Sequence, residues 1–323
     1  MRQITITAHR QAEVIEAPGL AGPLGSSEVR GRTIISLVSP GTELNYAYLA
    51  REGFPMLVGY AAIFRVTEVG SSVTDLPIGT LVLASGNHRE DQQAERKDVV
   101  PLPEGLDPEK AVFARLAGVS MSTLHTTAAR PPSRVLITGL GPVGNLAAQV
   151  FAACGYQVTA IDPVEKRREV AKRAGLLDVR ATIAEGPVDI ADKVMLHVEC
   201  SGHEKAVLDG ANTVRKGGEV VLLGVPWQRR TELFAFDLLR VIFHRYVVLR
   251  SGWEWEVPRQ PVDFAGGSII ENYAAAIQWL ASGKMKVEGL AGAYAPGEAQ
   301  KVYGGLLDGS LPTSSAIFDW RKS

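Results

Sequence analysis

Residues 134–150 read Arg-Val-Leu-Ile-Thr-Gly-Leu-Gly-Pro-Val-Gly-Asn-Leu-Ala-Ala-Gln-Val: an apolar run, a GxGxxG spacing, then a helix-forming stretch. Few folds accept that order. The apolar run predicts a buried strand at Arg134–Thr138, and each glycine after it has a separate steric task. Gly139 permits a tight turn, Gly141 lets backbone approach a pyrophosphate, and Gly144 lets the following helix pack close to the strand. Pro142 and Val143 open that helix, whose unpaired N–H groups and partial positive charge suit a phosphate. The GxGxxG spacing alone is a weak signal. Here a second predicted strand, Gln157–Ile161, ends at Asp162, about 20 residues on, where a carboxylate accepts hydrogen bonds from ribose hydroxyls. In that context the element predicts dinucleotide binding.

Asp162 also bears on which dinucleotide. A carboxylate at that place repels the 2'-phosphate of NADP, so NAD is the expected cofactor. The cations Lys166, Arg167 and Arg168 pull the other way, although Arg167 equally suits stacking near an adenine. Further on, Cys200-Ser201-Gly202 follows a predicted strand at Lys193–Glu199, and Gly224-Val225 ends another at Glu219–Val225. Small residues there suit either a nicotinamide or a plain turn.

Around this element the chain has the length for two cores. At 323 residues it exceeds the usual single domain of about 100 to 200 residues. The first ~115 residues hold short β-like runs punctuated by Gly, Pro and Ser, at Thr33–Val38, Ala62–Val69 and Thr80–Ala84. Helix-length segments then alternate with apolar strands, including Leu177–Ala181 and Tyr246–Ser251, the signature of a parallel α/β sheet. The tail predicts helices at Ile270–Ser282 and Gly297–Leu307 and a strand at Ser314–Asp319, too little for a domain of its own.

The formal charge of -1 gives no field that would gather nucleic acid or an anionic membrane. A small-molecule substrate is expected instead. Two cysteines, Cys154 and Cys200, fit neither a disulfide framework nor a thiolate-rich metal site, and with no signal peptide or spanning segment they predict a cytoplasmic protein.

Read along its whole length, the chain resembles the medium-chain dehydrogenase/reductase superfamily. The resemblance is carried by Ser39-Pro40-Gly41-Thr42-Glu43-Leu44, Gly59-Tyr60-Ala61-Ala62, Arg65-Val66-Thr67-Glu68-Val69-Gly70-Ser71, Val100-Pro101-Leu102-Pro103 and the nucleotide loop. Within it the chain is similar to the branch of bacteriochlorophyllide dehydrogenase-like and sorbitol dehydrogenase-like proteins. The resemblance implies a Rossmann doubly wound parallel sheet plus a β-rich GroES-like catalytic domain. It divides the chain into 1–118 and 255–323 for the catalytic part and 119–254 for the nucleotide-binding part, in a homodimer or homotetramer.

The departures concern the metal. Zinc-using members carry Cys, His and Glu where this chain has Pro40, Tyr60 and Ala61, and a further ligand place falls near the cation Arg115. No zinc is therefore expected, since a catalytic site needs about three N, S or O ligands. Without it, managing the proton on the substrate oxygen passes to hydrogen-bonding groups. By the resemblance these are Tyr60, in place of a ligand, Glu43 beside it, Thr42 as a hydroxyl relay, and His88, with His125 also nearby. Trp253 and Trp255 are open to two readings, a pocket wall for a ring-shaped ligand or interface packing. Three functions remain. The first is an NAD-dependent oxidoreductase for a secondary alcohol or carbonyl of polyol, cyclitol or sugar type; the others are a zinc-free NADPH-dependent enoyl or quinone reductase and a catalytically silent nucleotide-binding protein.

Overall fold

The computed structural model describes residues 1–186 and 189–322. Two compact units divide the chain. One comprises Met1–Arg115, Tyr273–Gly283 and Gly289–Ser323, the other Leu116–Asn272 and Lys284–Glu288.

The first unit begins with β1 (Arg2–Ala8), β2 (Gln11–Glu16), β3 (Glu28–Leu37), a one-turn helix α1 (Pro40–Glu43) and β4 (Met56–Leu57). β5 (Ala62–Val69), β6 (Leu81–Ala84), β7 (Asp91–Glu95), β8 (Val100–Pro101) and α2 (Pro108–Ala111) follow. The second unit then runs α3 (Ala114–Thr126), β9 (Arg134–Thr138), α4 (Pro142–Ala153), β10 (Gln157–Ile161), α5 (Glu165–Arg173) and β11 (Asp178–Arg180). After these come β12 (Val194–Glu199), α6 (Glu204–Thr213), β13 (Val214–Leu222), α7 (Ala235–Arg245) and β14 (Val248–Ser251). The chain closes with α8 (Ile269–Ala281), β15 (Ala291–Tyr294), α9 (Ala299–Asp308) and β16 (Ser315–Asp319).

In the first unit the larger sheet runs β15-β16-β3-β5-β6-β8, with β7 also on β3, and β2-β1-β4 forms a smaller one. β16 pairs antiparallel with β3, Ile317 opposite Leu37, so the last strand of the chain is stitched to one of the first. Its core gathers Ile4, Ile6, Val38, Tyr48, Tyr303 and Phe318. The alternating pattern of β5, buried at Phe64 and Val66 and exposed at Arg65 and Thr67, is that of a sheet with one wet face.

The second unit is a parallel sheet of order β11-β10-β9-β12-β13-β14. Its central strands β9 and β12 are buried almost throughout, as strands of a parallel sheet covered on both faces are. The strand order reverses between β9 and β12, so the loops after these two strands part from each other. Open α/β sheets bind ligands at that reversal. The α/β class, the Rossmann sheet and the β-rich partner are therefore as expected.

Several predicted strands shift; the one expected at Thr33–Val38, for example, spans Glu28–Leu37. The one expected at Glu219–Val225 begins at Val214, because a register shift between Val194 and Leu196 lets Val214 pair with Val194 before Glu219 meets Leu196. The strand expected from Leu177 begins at Asp178, Leu177 being fully exposed. The one expected from Tyr246 begins at Val248, because Tyr246 caps α7 in a left-handed conformation at φ 54.

One buried histidine makes the second unit sensitive to pH. His197 on β12 has no exposure, and a Cβ on Gly210 of α6 would overlap its ring. Burial pushes the imidazole pKa from 6.5 down to about 3. The unfolded chain therefore takes up a proton below pH 6.5 that the folded chain refuses. The stability this group contributes above pH 6.5 is lost as pH falls toward 3, by up to about 1.4 kcal/mol per pH unit. Urea unfolding at pH 7 and at pH 5 tests this: His197→Gln should show a flatter decline than the parent, and equal declines would refute it.

Candidate functional site

The phosphate loop sits at the reversal point, between β9 and α4. Gly139 adopts φ +83, and a Cβ there would lie 2.8 Å from Ser201 N, so both backbone and neighbour demand glycine. A Cβ on Gly144 would overlap Gly139 O, which sets how closely α4 packs against its own entry loop. At Gly141, the N-cap of α4, no atom of the described residues beyond its own chain neighbours lies within 4 Å of where a Cβ would project, a cradle that any side chain would fill. Pro142 occupies the first turn of α4 and Val143 follows it. These residues fit a nucleotide pyrophosphate: open backbone at Gly141, then a helix N-terminus.

Asp162 follows β10, is 1% exposed, and ties this loop down. Its Oδ2 accepts from Leu140 N at 2.7 Å and its Oδ1 from Val164 N at 2.8 Å. Of the nearby cations, Arg168 donates to the carbonyls of Asp162 and Pro163, at 2.9 and 2.8 Å, while Arg167 Nη1 lies 3.4 Å from Asp162 Oδ2. Arg168 is thus held by backbone, and Arg167 already faces a carboxylate.

The loop after β12 is fastened by Glu199, a residue the sequence reading passed over. Its carboxylate accepts from Ser201 N at 2.7 Å, from Gly202 N at 2.9 Å and from the Ser201 hydroxyl. Burial raises its pKa while these bonds oppose the rise. An acid ending an otherwise apolar strand was the available signal. Cys200 has its thiol pushed well up, first by burial and then by Glu199. Gly224 packs so tightly that a Cβ would lie 2.5 Å from Gly202 N; Val225 follows, half-buried. Ser201, Gly202 and Gly224 therefore brace one another at the ends of β12 and β13.

In the first unit, Tyr60 and Thr42 are half-buried, and the Tyr60 hydroxyl donates to Ser39 Oγ and is hydrogen-bonded with Thr42. The Arg115 guanidinium carbon lies 4.7 Å from the centre of the Tyr60 ring and 5.2 Å from that of Tyr273. Burial raises the phenol pKa, and the Arg115 charge and the bonds from Ser39 and Thr42 oppose that rise.

Glu43, expected to orient Tyr60 or to bind a hydroxyl, and His88, expected nearby, are 3% and 0% exposed. Glu43 accepts from Ser39 N at 2.7 Å and from Tyr303 at 2.5 Å, and faces His88 Nε2 at 3.0 Å. His88 Nδ1 faces Ser36 Oγ at 2.7 Å. The pair is a buried strut that sets the turn carrying Ser39 and Thr42. Burial and the adjoining Glu43 carboxylate push the Tyr303 phenol well up, so it stays a donor. Tyr303 lies too far along the chain to be legible from the motif. His125 belongs to the other unit, bonded to Asn272 at 2.8 Å. Trp253 and Trp255 are 54% and 58% exposed.

A zinc ion does not fit this donor set. The family's ligand places hold Pro40, Tyr60 and Arg115, of which the last brings a positive charge against the second. Both ring nitrogens of His88 already face Ser36 and Glu43.

Comparison with known proteins places these features. Residues 142–259 match the family described as Zinc-binding dehydrogenase, a stretch that excludes positions 40, 60 and 115. An alcohol dehydrogenase of Geobacillus stearothermophilus is 30% identical over 146 residues, covering 44% of this chain and 43% of that protein. An L-threonine 3-dehydrogenase of Streptomyces coelicolor is 29% identical over 224 residues, covering 58% of this chain and 64% of that protein. The chain thus spans about half the length of the curated relatives it matches. The structure of galactitol-1-phosphate dehydrogenase from Escherichia coli superposes with a TM-score of 0.81 at 18% identity, covering 99% of this chain and 100% of that one.

The close approach at Gly144 makes a local prediction. Gly144→Ala should displace the Gly139 carbonyl and weaken NADH binding at least tenfold, an effect of about 1.4 kcal/mol, with far-UV circular dichroism unchanged. Calorimetry showing unaltered affinity would detach this loop from the cofactor.

Proposed function

We propose that the chain belongs to the medium-chain dehydrogenase/reductase superfamily and is an NAD(H)-dependent oxidoreductase acting on a secondary alcohol or carbonyl of polyol, cyclitol or sugar type, without a metal. The observation that carries the reading is the phosphate loop at the sheet's reversal point, with Asp162 fastening it. Similar structures hold NAD in some cases and NADP in others. The preference for NAD rests on this chain's own residues: Asp162 opposes a 2'-phosphate, Arg168 is held by carbonyls, and Arg167 faces Asp162. The substrate class is supported by similarity to proteins named galactitol-1-phosphate dehydrogenase and L-idonate 5-dehydrogenase.

Gly139, Gly141, Pro142, Val143 and Gly144 would hold the pyrophosphate, and the nicotinamide when bound supplies or accepts the hydride. The remaining task is the proton. As a carbonyl is reduced, hydride adds to its carbon, the C=O π pair moves to oxygen, and the Tyr60 O–H bond breaks to protonate that oxygen. Oxidation reverses each movement. A raised pKa keeps Tyr60 protonated at neutral pH, the form a donor needs. Ser39 and Thr42 offer the hydroxyls through which its proton is replaced.

The chain would work as a homodimer. Among the described residues β14 forms the outer edge of its sheet, paired to β13, and a second copy related by a two-fold axis would satisfy that edge. Beside it, Phe236, Leu239 and Phe243 fall on one face of α7 at 66%, 63% and 75% exposure, an apolar surface suited to a self-complementary contact.

Fluorescence titration should show NADH binding at least tenfold tighter than NADPH, followed by turnover on polyols or ketones rather than enones. Lack of affinity for either nucleotide ends the oxidoreductase reading, and tight zinc at about one ion per chain ends its metal-free part. Tyr60→Phe should lower turnover about a hundredfold with NADH affinity intact; an unchanged rate removes Tyr60 from the chemistry. Light scattering should give a dimer mass that Phe243→Glu halves, whereas a monomeric parent would refute the dimer.

A further inference from the structure

Arg115 is an expensive residue to have in its position. Its side chain is 4% exposed, in the first turn of α3, where the helix dipole disfavours a cation. Two phenol rings face the guanidinium, Tyr60 at 4.7 Å and Tyr273 at 5.2 Å, presenting it with their electron-rich faces. A neutral ring attracts a cation modestly, but a phenolate attracts it far more, since a full negative charge then stands within a few ångströms at low dielectric.

We propose that Arg115 is a positioning residue for the reaction: a fixed cation that stabilises negative charge on the Tyr60 oxygen as its proton passes to the substrate. The charges and hydroxyls bearing on Tyr60 are then complementary. Arg115 favours its anion, the Ser39 and Thr42 hydroxyls hydrogen-bond to it, and the Glu43 carboxylate opposes it. Glu43 is in turn engaged by Ser39 N, Tyr303 and His88, which fixes that opposing charge in place. When Tyr60 gives up its proton the phenolate pairs with the guanidinium, and when it regains the proton the pair relaxes to a stacked contact. No metal ligand is needed for that cycle. The proposal rests on the oxidoreductase reading only for its kinetic half, because the ionisation of Tyr60 is measurable without any substrate.

The experiment uses protein carrying 13C at tyrosine Cζ, with Tyr60→Phe assigning the Tyr60 resonance. In Arg115→Met the Tyr60 ionisation should move to higher pH by about one pH unit or more, and in Arg115→Lys it should stay near that of the parent. The alkaline limb of carbonyl reduction should move with it, while NADH affinity holds. A merely structural arginine, one that only spaces two rings, predicts no such split between Lys and Met. An unmoved Tyr60 resonance in Arg115→Met would therefore overturn the proposal, as would equal movement in both variants. Arg115→Gln replaces Met if the latter fails to fold; if every neutral variant unfolds while Lys folds, the charge serves stability and the proposal falls. A shifted resonance with no turnover on any substrate would leave the coupling of Arg115 to the Tyr60 ionisation standing and sink the oxidoreductase reading with the kinetic half of the proposal.

Discussion

The approach of Gly139 O to Gly144 leaves no volume for a side chain, and much of the second unit is arranged by that contact. It brings the first turn of α4 against the end of β9, so the helix dipole and free N–H groups point along the strand's carboxyl end. Asp162 then holds the same loop from β10 through Leu140 N, and Ser201 crowds Gly139 from the β12 side. Three neighbouring strands thus converge on one turn. Its shape is over-determined before any ligand arrives, which is what preorganised binding requires.

The first unit shows a comparable economy with different chemistry. Glu43, His88, Tyr303 and Ser36 form a buried chain of hydrogen bonds, joined by Trp320 Nε1 on Ser36 Oγ at 2.9 Å. Buried polar groups are tolerable only when each finds a partner, and a chain satisfied in this way rigidifies what it touches. Here it touches the Ser39 backbone, and through that the hydroxyls beside Tyr60. Glu43 and His88, which the resemblance suggested as reactive, are engaged in this buried chain.

Strand and loop legibility differed for physical reasons. β9 and β10 were readable to the residue because each carries a short, largely apolar run, and their ends are marked by glycine and aspartate. β13 was misplaced at its start because a register shift and Gly217 at φ +73 are set by pairing with β12. The place of Tyr60 in its motif was visible, whereas its neighbours Arg115 and Tyr273 are distant in the chain and share no periodicity with it. Glu43 looked available in sequence because nothing local announced Tyr303.

The local order of residues 134–162 was enough by itself to dictate a strand, a glycine turn, a helix and an acid, because each of those outcomes depends on backbone freedom and short-range sterics. Pro40, Tyr60, Ala61 and Arg115 likewise remove the usual metal donors from their places, since residue identity alone decides which atoms can coordinate. The tertiary structure alone decided which polar groups are buried, which carboxylate is already bonded, and which cation stands over which ring. Those are consequences of long-range packing, where burial and proximity, rather than residue type, set whether a side chain supports a site or reacts in it.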